Sequence, residues 1–484
     1  VPNLRASGVL PGKETWRRLK RYTVGLVFSF SREELLITTA PGPRGHPLLG
    51  NLPAVRKDPL RHFLSSANEF GDLVRMRFGP MTAHLVRDPA MVKQVLQDKV
   101  EQYGKNTRGF AKIRLVLGDG LLTSEGSFWR RQRRIAQPAF HHKKLAAFGE
   151  VMARCASDMA AEWTKLAGTG TALDVSREMM RLTLRIVSIT LLSEDTSARA
   201  DEVGTALTDL LHSANERMTR IFDPPMSIPT AANRQFKRNL KTLDSVVLGV
   251  IAERRKSKAA TPNDLLSMFM DIRDEETGEK MDDQQLRDEV MTVYIAGHET
   301  TANALTWTLM LLSKNPAEGR AVRTELNEVL GGRLPTFADL GKLVRTRAAI
   351  DESMRLYPPA WIIGRSVEKA DELGGFPIPK GSICFVSPFV SHRNPKMFDN
   401  PEGFDPQRFL DGRVEKLPRF AYFPFGGGPR ICIGNGFAIA ELVLVLATLW
   451  QKLDLELFPG HDCTAEPSIT LRPKHGMQMT VRAV

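Results

Sequence analysis

Cysteine is scarce in this 484-residue chain, with only Cys155, Cys384, Cys432 and Cys463. They lie far apart and form no Cys-x-x-Cys pair, which argues against a disulfide framework or a zinc ribbon and points to a reducing compartment. Long apolar runs are missing too. The longest near the N-terminus, Thr23 to Phe30 after Trp16-Arg17-Arg18-Leu19-Lys20-Arg21, falls short of the roughly 18 to 20 residues that span a bilayer, so no transmembrane anchor is visible. There is no internal repeat and no low-complexity linker, and one large domain is expected rather than two. No glycine-rich dinucleotide fingerprint follows a strand.

What is present is the balance of an ordinary globular protein, 42% hydrophobic and 25% charged residues. Lys and Arg outnumber Asp and Glu by 67 to 55, a formal charge of +12 that could serve nucleic acid, membrane headgroups or an acidic protein. Residues 1–40 read as an N-terminal extension, either a poorly ordered tail or a basic stretch resting on a membrane surface. The chain opens on Val1 rather than Met, so an upstream segment stays open. The folded body, residues 41–484, begins with the Pro- and Gly-rich run Pro41 to Pro53, read as an extended lead-in loop. Asp72–Phe78 and Thr82–Val86 read as a hairpin, and Asp88-Pro89 as a helix start. Residues from about Phe128 to Leu312 are largely helical. Past Lys380 come Gly- and Pro-rich loops, short strands and one helix after Gly434. The expectation is a mainly α fold with a small β region.

The strongest chemistry lies in Phe425-Gly-Gly-Gly-Pro-Arg430-Ile-Cys432-Ile-Gly434. The glycines permit a tight backbone cradle, and the loop feeds into a helix whose N-terminus offers free N–H groups and a positive dipole end. Both stabilise a thiolate, as an axial sulfur ligand to haem iron requires. Gly434 would keep space clear beside the sulfur, Phe425 pack beneath it, and Arg430 reach a haem propionate.

A second signal sits in the long apolar helix from about Asp282 to Lys314, about 45 to 50 Å long, enough to cross the domain. Within it Ala296-Gly297-His298-Glu299-Thr300-Thr301 places glycine, acid and hydroxyls where none favours a buried helix. Thr300 can return its hydroxyl to the backbone near Ala296 and open the helix locally, giving a groove for dioxygen and water. Trp129 and Arg133 are one helical turn apart and can both donate to a carboxylate. Glu352 and Arg355 can pair on one helix face.

Taken in order, these motifs resemble the cytochrome P450 family over essentially Pro41 to Val484. The resemblance implies that family's mainly helical fold and haem b held by Cys432 as the metal ligand. Trp129, Arg133, Arg365 and Arg430 would serve the propionates, and Phe425, Ala296, Gly297 and Gly434 would line the cofactor site. It makes Thr300 the hydroxyl that steers proton delivery, with Glu299 as the adjacent acid. Glu352 and Arg355 would join Arg408 in a buried network, although Gln407 stands where the family often has Glu. By family position the substrate pocket is walled by Phe110, Ile113 and Leu117 of a loop, then Leu121 and Leu122, the helix face at Tyr294 and Ala296, and Ala360, Trp361, Ile362 and Ile363. These are mostly apolar, so a fatty acid, terpenoid or steroid-like substrate is expected.

The implied reaction consumes dioxygen, with NAD(P)H acting indirectly through a separate ferredoxin, flavodoxin or reductase. Arg130, Arg131, Arg134, Lys143 and Lys144 read either as a basic docking face for that carrier or as a plain solvated face. No nucleic acid partner is expected; a cytoplasmic monomer is, with peripheral membrane association as an alternative. Two rivals remain open: a haem-thiolate isomerase, dehydratase or peroxygenase, and a haem-binding sensor or carrier without turnover.

Overall fold

The computed structural model describes residues 39–195, 200–220, 222–256 and 264–483. The basic N-terminal stretch lies outside them. Helices start and stop where side chains satisfy their open ends. Helix α1 (Leu52–Lys57) begins inside the run read as extended, because Pro53 sits in its first turn, where a missing N–H costs nothing. Helix α2 (Pro59–Phe70) follows, then the hairpin of β1 (Leu73–Phe78) and β2 (Met81–Val86), closed at Phe78↔Met81. The Asp88 carboxylate caps α3 (Pro89–Lys93) by accepting from Ala90 and Met91 N–H.

After β3 (Tyr103–Gly104), residues Arg108–Leu117 form helix α4 rather than the expected loop. Thr107 caps it and Gly118 ends it at φ +63°, a conformation that glycine adopts without strain. The helical body continues through α5 (Gly126–Ala136), α6 (His142–Thr164), the short strand β4 (Leu173–Asp174), α7 (Val175–Leu192), α8 (Ala200–Thr219), α9 (Ala231–Lys256) and α10 (Leu265–Asp271). Then come α11 (Asp283–Lys314), α12 (Pro316–Leu330) and α13 (Val344–Leu356).

Helix α11 is the axis of the molecule. Asp282 and Gln285 close a capping box at its start. It is packed by α7, α9, α13 and α15 (Asn435–Lys452) and buried along most of its length. Leu286, Val290, Leu305, Leu309 and Leu312 are fully inside, each worth about 1.5–3 kcal/mol of burial. Trp307 stacks on Tyr357 at 4.2 Å between ring centroids, and its indole N–H donates to Leu471 O at 3.0 Å. Among the described residues no helix is long and apolar enough to cross a membrane.

The β region flanks this body. Strands β5 (Ile363–Val367) and β8 (Ile383–Val386) join the N-terminal strands in the order β1-β2-β8-β5-β3, with β2 and β8 parallel. Between them lies the hairpin of β6 (Asp371–Leu373) and β7 (Phe376–Ile378), and after β8 the short helix α14 (Pro388–Ser391). Strand β9 (Leu453–Leu457), the hairpin of β10 (Ala465–Pro467) and β11 (Leu471–Pro473), and β12 (Gln478–Ala483) complete the chain, with β12 between β4 and β9.

Glu352 on α13 ties the helical body to the loop before the cysteine. Arg355 donates to it twice, at 2.7 and 2.9 Å, Arg408 Nε once at 3.2 Å, and Asp405 N–H once at 2.9 Å. Arg355 also donates to the carbonyls of His392, Pro401 and Gly403. All three charged side chains are buried, so the sequence pair Glu352/Arg355 with Arg408 is a core network and not a surface contact.

Candidate functional site

The cysteine loop is shaped by what it rests on. A Cβ on Gly427 would stand 2.0 Å from the Phe420 ring, and one on Gly428, at φ +67°, 2.1 Å from Leu96 O. Only glycine lets the loop lie this close, and the Cys432 N–H then closes it by donating to Phe425 O at 3.0 Å. Cys432 keeps an accessible side chain just before α15, whereas Cys155 and Cys384 are buried. Surrounding protein raises its thiol above the usual range, while the Gly434 N–H and then the Arg133 guanidinium pull the other way. Gly434 leaves clearance, since a Cβ there would come no closer than 4.0 Å to the Cys432 sulfur.

Helix α11 interrupts its burial at one stripe. Ala296 is exposed and Val293, Gly297 and Thr300 are partly so, in a helix that is otherwise buried between its two ends. The Thr300 hydroxyl donates to Ala296 O at 2.6 Å, as its spacing predicts. The helix is not broken there, however: it runs as one α-helix from Asp283 to Lys314, because a threonine can bond the carbonyl one turn back without displacing the main-chain bond. Gly297 lies against α7, where a Cβ would meet Val187 at 3.4 Å. Glu299 is buried, its carboxyl raised by burial and partly offset by a hydrogen bond from Thr470. Thr301 turns into the core.

Between α5 and the cysteine loop sits a cluster of cations. The Arg430 guanidinium lies 4.2 Å from the Trp129 ring centroid and donates to Ser124 O at 3.1 Å. Arg365 is buried on β5 and its Nε has no partner among the described residues. Burial, then Arg430, lowers it to about 10. Lys105 is buried too, donates to Leu122 O at 2.6 Å, and is held far below the usual lysine range by burial, then by Arg430 and Arg365. Lys105 was not among the residues singled out from sequence; a lone Lys after a short strand carries no signal until the fold sets it beside two arginines. Arg133 donates to Ile431 O at 2.7 Å, bracing the residue before the cysteine. Two buried cations, Lys105 and Arg365, and the partly buried Arg430 face mainly Glu125 and are short of negative charge, which suits a ligand with two carboxylates. An accessible cysteine on a tight loop, a notched helix and this cation cluster together fit a haem held through its iron and its propionates.

The expected pocket residues divide. Phe110, Ile113, Leu121, Ile362 and Ile363 are partly accessible, and Leu122 and Ala360 exposed. Leu117 is buried in the helical core. Tyr294 is buried as well; two residues before Ala296 it lies nearly opposite on the helix, and its hydroxyl shares a 3.0 Å hydrogen bond with Ser188 of α7. Trp361 is buried, packs beside Phe63 and donates to Ser468 O at 2.9 Å. The basic face is also altered. Arg130 pairs with Glu101, Arg131 with Glu279, and Arg134 with Asp274 and Glu276, so these arginines tie α5 to its neighbours. Lys144 is exposed, and the side chain of Lys143 lies outside the described residues.

The sequence pattern of the cytochrome P450 family matches residues 40–480. The chain belongs to the cytochrome P450 family. Among its relatives are cyclooctatin synthase of Streptomyces melanosporofaciens, 38% identical over 90% of this chain and 93% of the relative. Cyclooctat-9-en-7-ol 5-monooxygenase of the same organism is 38% identical over 87% of this chain and 91% of its own length. Pentalenene oxygenase of Streptomyces avermitilis is 34% identical over 92% and 95%. The chain is therefore an oxidoreductase, a P450 monooxygenase, and the family implies a haem with a cysteine thiolate ligand.

Proposed function

We propose that this P450 inserts one oxygen atom of dioxygen into an apolar, terpenoid-like substrate, with Cys432 as the iron ligand and electrons from a separate protein. The observation that carries the reading is the pairing of an accessible Cys432 with the accessible Ala296–Thr300 stripe of an otherwise buried helix. Haem bound through Cys432 would supply the binding and reductive cleavage of dioxygen, to which the thiolate contributes electron density.

The remaining work falls to this chain's side chains. Because the Thr300 proton is spent on Ala296 O, its oxygen is left as an acceptor, able to hold a water or another O–H donor at the notch. Glu299, neutral more readily than a free carboxylate, is the neighbouring acid that can restore a proton to that water. Trp129, Arg133, Arg365 and Arg430, with Lys105, are the donors available to the propionates. Phe110, Ile113, Leu121, Leu122, Ala360, Ile362 and Ile363 offer an apolar wall. The names cyclooctat-9-en-7-ol and pentalenene support a cyclic terpenoid over a fatty acid.

The deciding experiment supplies purified, haem-loaded protein with NADPH, a ferredoxin and its reductase, cyclic terpene hydrocarbons, and isotopically labelled dioxygen. The expected product carries one labelled oxygen atom. Product without label would favour isomerase, dehydratase or peroxide-driven chemistry, and binding without turnover would favour a sensor or carrier.

A further inference from the structure

Residues 118–125, joining α4 to α5, are clamped from two sides. From α11, Asp288 Oδ2 accepts from Asp119 N–H at 2.8 Å and Glu289 Oε2 from Leu121 N–H at 3.1 Å. The approach is so close that a Cβ on Gly120 would stand 2.2 Å from Thr292 Oγ1 and 2.6 Å from Asp288 O. From the other side Lys105 donates to Leu122 O at 2.6 Å and Arg430 to Ser124 O at 3.1 Å. Leu121 and Leu122, two of the apolar wall residues, thus sit between a pair of carboxyls and a pair of cations.

The two carboxyls are not equivalent. Asp288 has further donors in Gln284 at 2.9 Å and Arg287 at 3.0 Å. Glu289 has Leu121 N–H, while its Oε1 is buried with no partner among the described residues. We propose that Glu289 is a positioning residue that fixes the Leu121–Leu122 wall of the substrate pocket and the seat of Lys105, and loosens that wall when it ionises. The proposal rests on the reading of this site as a haem-thiolate pocket.

The direction follows from linkage. Burial raises the Glu289 carboxyl to about 7; Leu121 N–H and Lys105 oppose the rise and Asp288 adds to it. Asp288 and Arg287 approach from its own helix, with Asp244 of α9 bound to Arg287. Asp119, paired with Arg114, lies across the loop, and Lys105 has Arg365 and Arg430 behind it. With the loop released and the α11 carboxyl solvated, it would return toward 4.5. The seated loop therefore binds more protons than the released one, and it is favoured at low pH and weakened as pH rises from about 4.5 through about 7. Between pH 6 and 8 the seated state loses up to about tenfold in relative population.

The test uses haem-loaded protein and limonene as the apolar probe, followed by the Soret shift on binding. Wild-type affinity should fall between pH 6 and 8 by up to about tenfold. Glu289→Gln, whose amide oxygen can still accept from Leu121 N–H, should hold a pH-independent affinity near the wild-type value at pH 6. Equal pH dependence in both proteins would overturn the proposal. Should Glu289→Gln fail to fold, or limonene fail to bind, amide exchange of residues 118–125 in wild-type holoprotein decides. Protection, corrected for intrinsic exchange, should fall as pH rises toward about 7 and level off above it, and constant protection would overturn the proposal. The reduced carbon monoxide spectrum of the same samples keeps the two readings apart. A missing red-shifted band condemns the haem-thiolate pocket, whereas a normal band with flat pH behaviour condemns only the role of Glu289.

Discussion

Replacing Glu352 by Ala removes the one acceptor that two buried arginines share. Four hydrogen bonds disappear, three from Arg355 and Arg408 and one from Asp405 N–H. Arg355 keeps three carbonyl partners and Arg408 keeps Asn400 O, so neither is stripped bare, but Arg355 stays buried with its counter-charge gone and Arg408 keeps only the Asp405 carboxylate at 4.0 Å. Breaking a buried ion pair from one side costs about 3–5 kcal/mol. Against a typical total of about 5–15 kcal/mol this is a large fraction. At roughly 2 °C per kcal/mol for a large domain, the midpoint should fall by about 6–10 °C. The assay is thermal unfolding followed by circular dichroism, with haem content measured in parallel. Glu352→Gln should fall between, because its amide oxygen still accepts while its charge is lost. A loss under about 1 kcal/mol in Glu352→Ala would show that the network contributes no more than a surface pair, and the argument from burial would fail.

Cys432→Ala should lose the red-shifted reduced carbon monoxide band, whereas Cys155→Ala, Cys384→Ala and Cys463→Ala should each keep it; a Cys432 variant with the band intact would refute the ligand assignment. Thr300→Ala should still bind haem and consume NADPH and dioxygen but release more hydrogen peroxide per product formed, with Thr301→Ala less affected, and unchanged coupling would remove Thr300 from proton delivery. Burial holds the His298 imidazole down at about 4. The unfolded chain therefore takes up a proton below about 6.5 that the folded state refuses, and stability should fall with falling pH between about 6.5 and 4 by up to about 1.4 kcal/mol per unit. His298→Gln should flatten that part of the urea-unfolding profile, and an identical slope in both proteins would contradict it.

Sequence spacing went far where chemistry is local. Asp88-Pro89, Asp282 and the residues before Asn315-Pro316 mark helix ends by side-chain hydrogen bonding and by proline's missing donor, and the structure starts and ends helices there. It failed at α4, read as a loop even though Thr107 and Gly118 carry the cap signals at both ends. Sequence was silent on the partners that Tyr294 and Trp361 take in Ser188 and Ser468, because an apolar residue of the right size says nothing about which of two apolar environments it enters.

The sequence by itself determined the cysteine loop, the hydroxyl one turn from Ala296, and the charges of the Glu352 network, because each is a constraint between residues close along the chain or a residue type that little else explains. Only the tertiary structure decided which charges are shared and which are stranded. Arg131 and Arg134 are consumed by Glu279, Asp274 and Glu276, while Lys105, Arg365 and Arg430 are brought from three distant segments into one largely buried cluster. Glu289 was unremarkable in sequence and became a buried acid once the Gly118–Gly120 backbone was laid across α11. Charge pairing and desolvation depend on distances and burial in three dimensions, and sequence separation does not encode them.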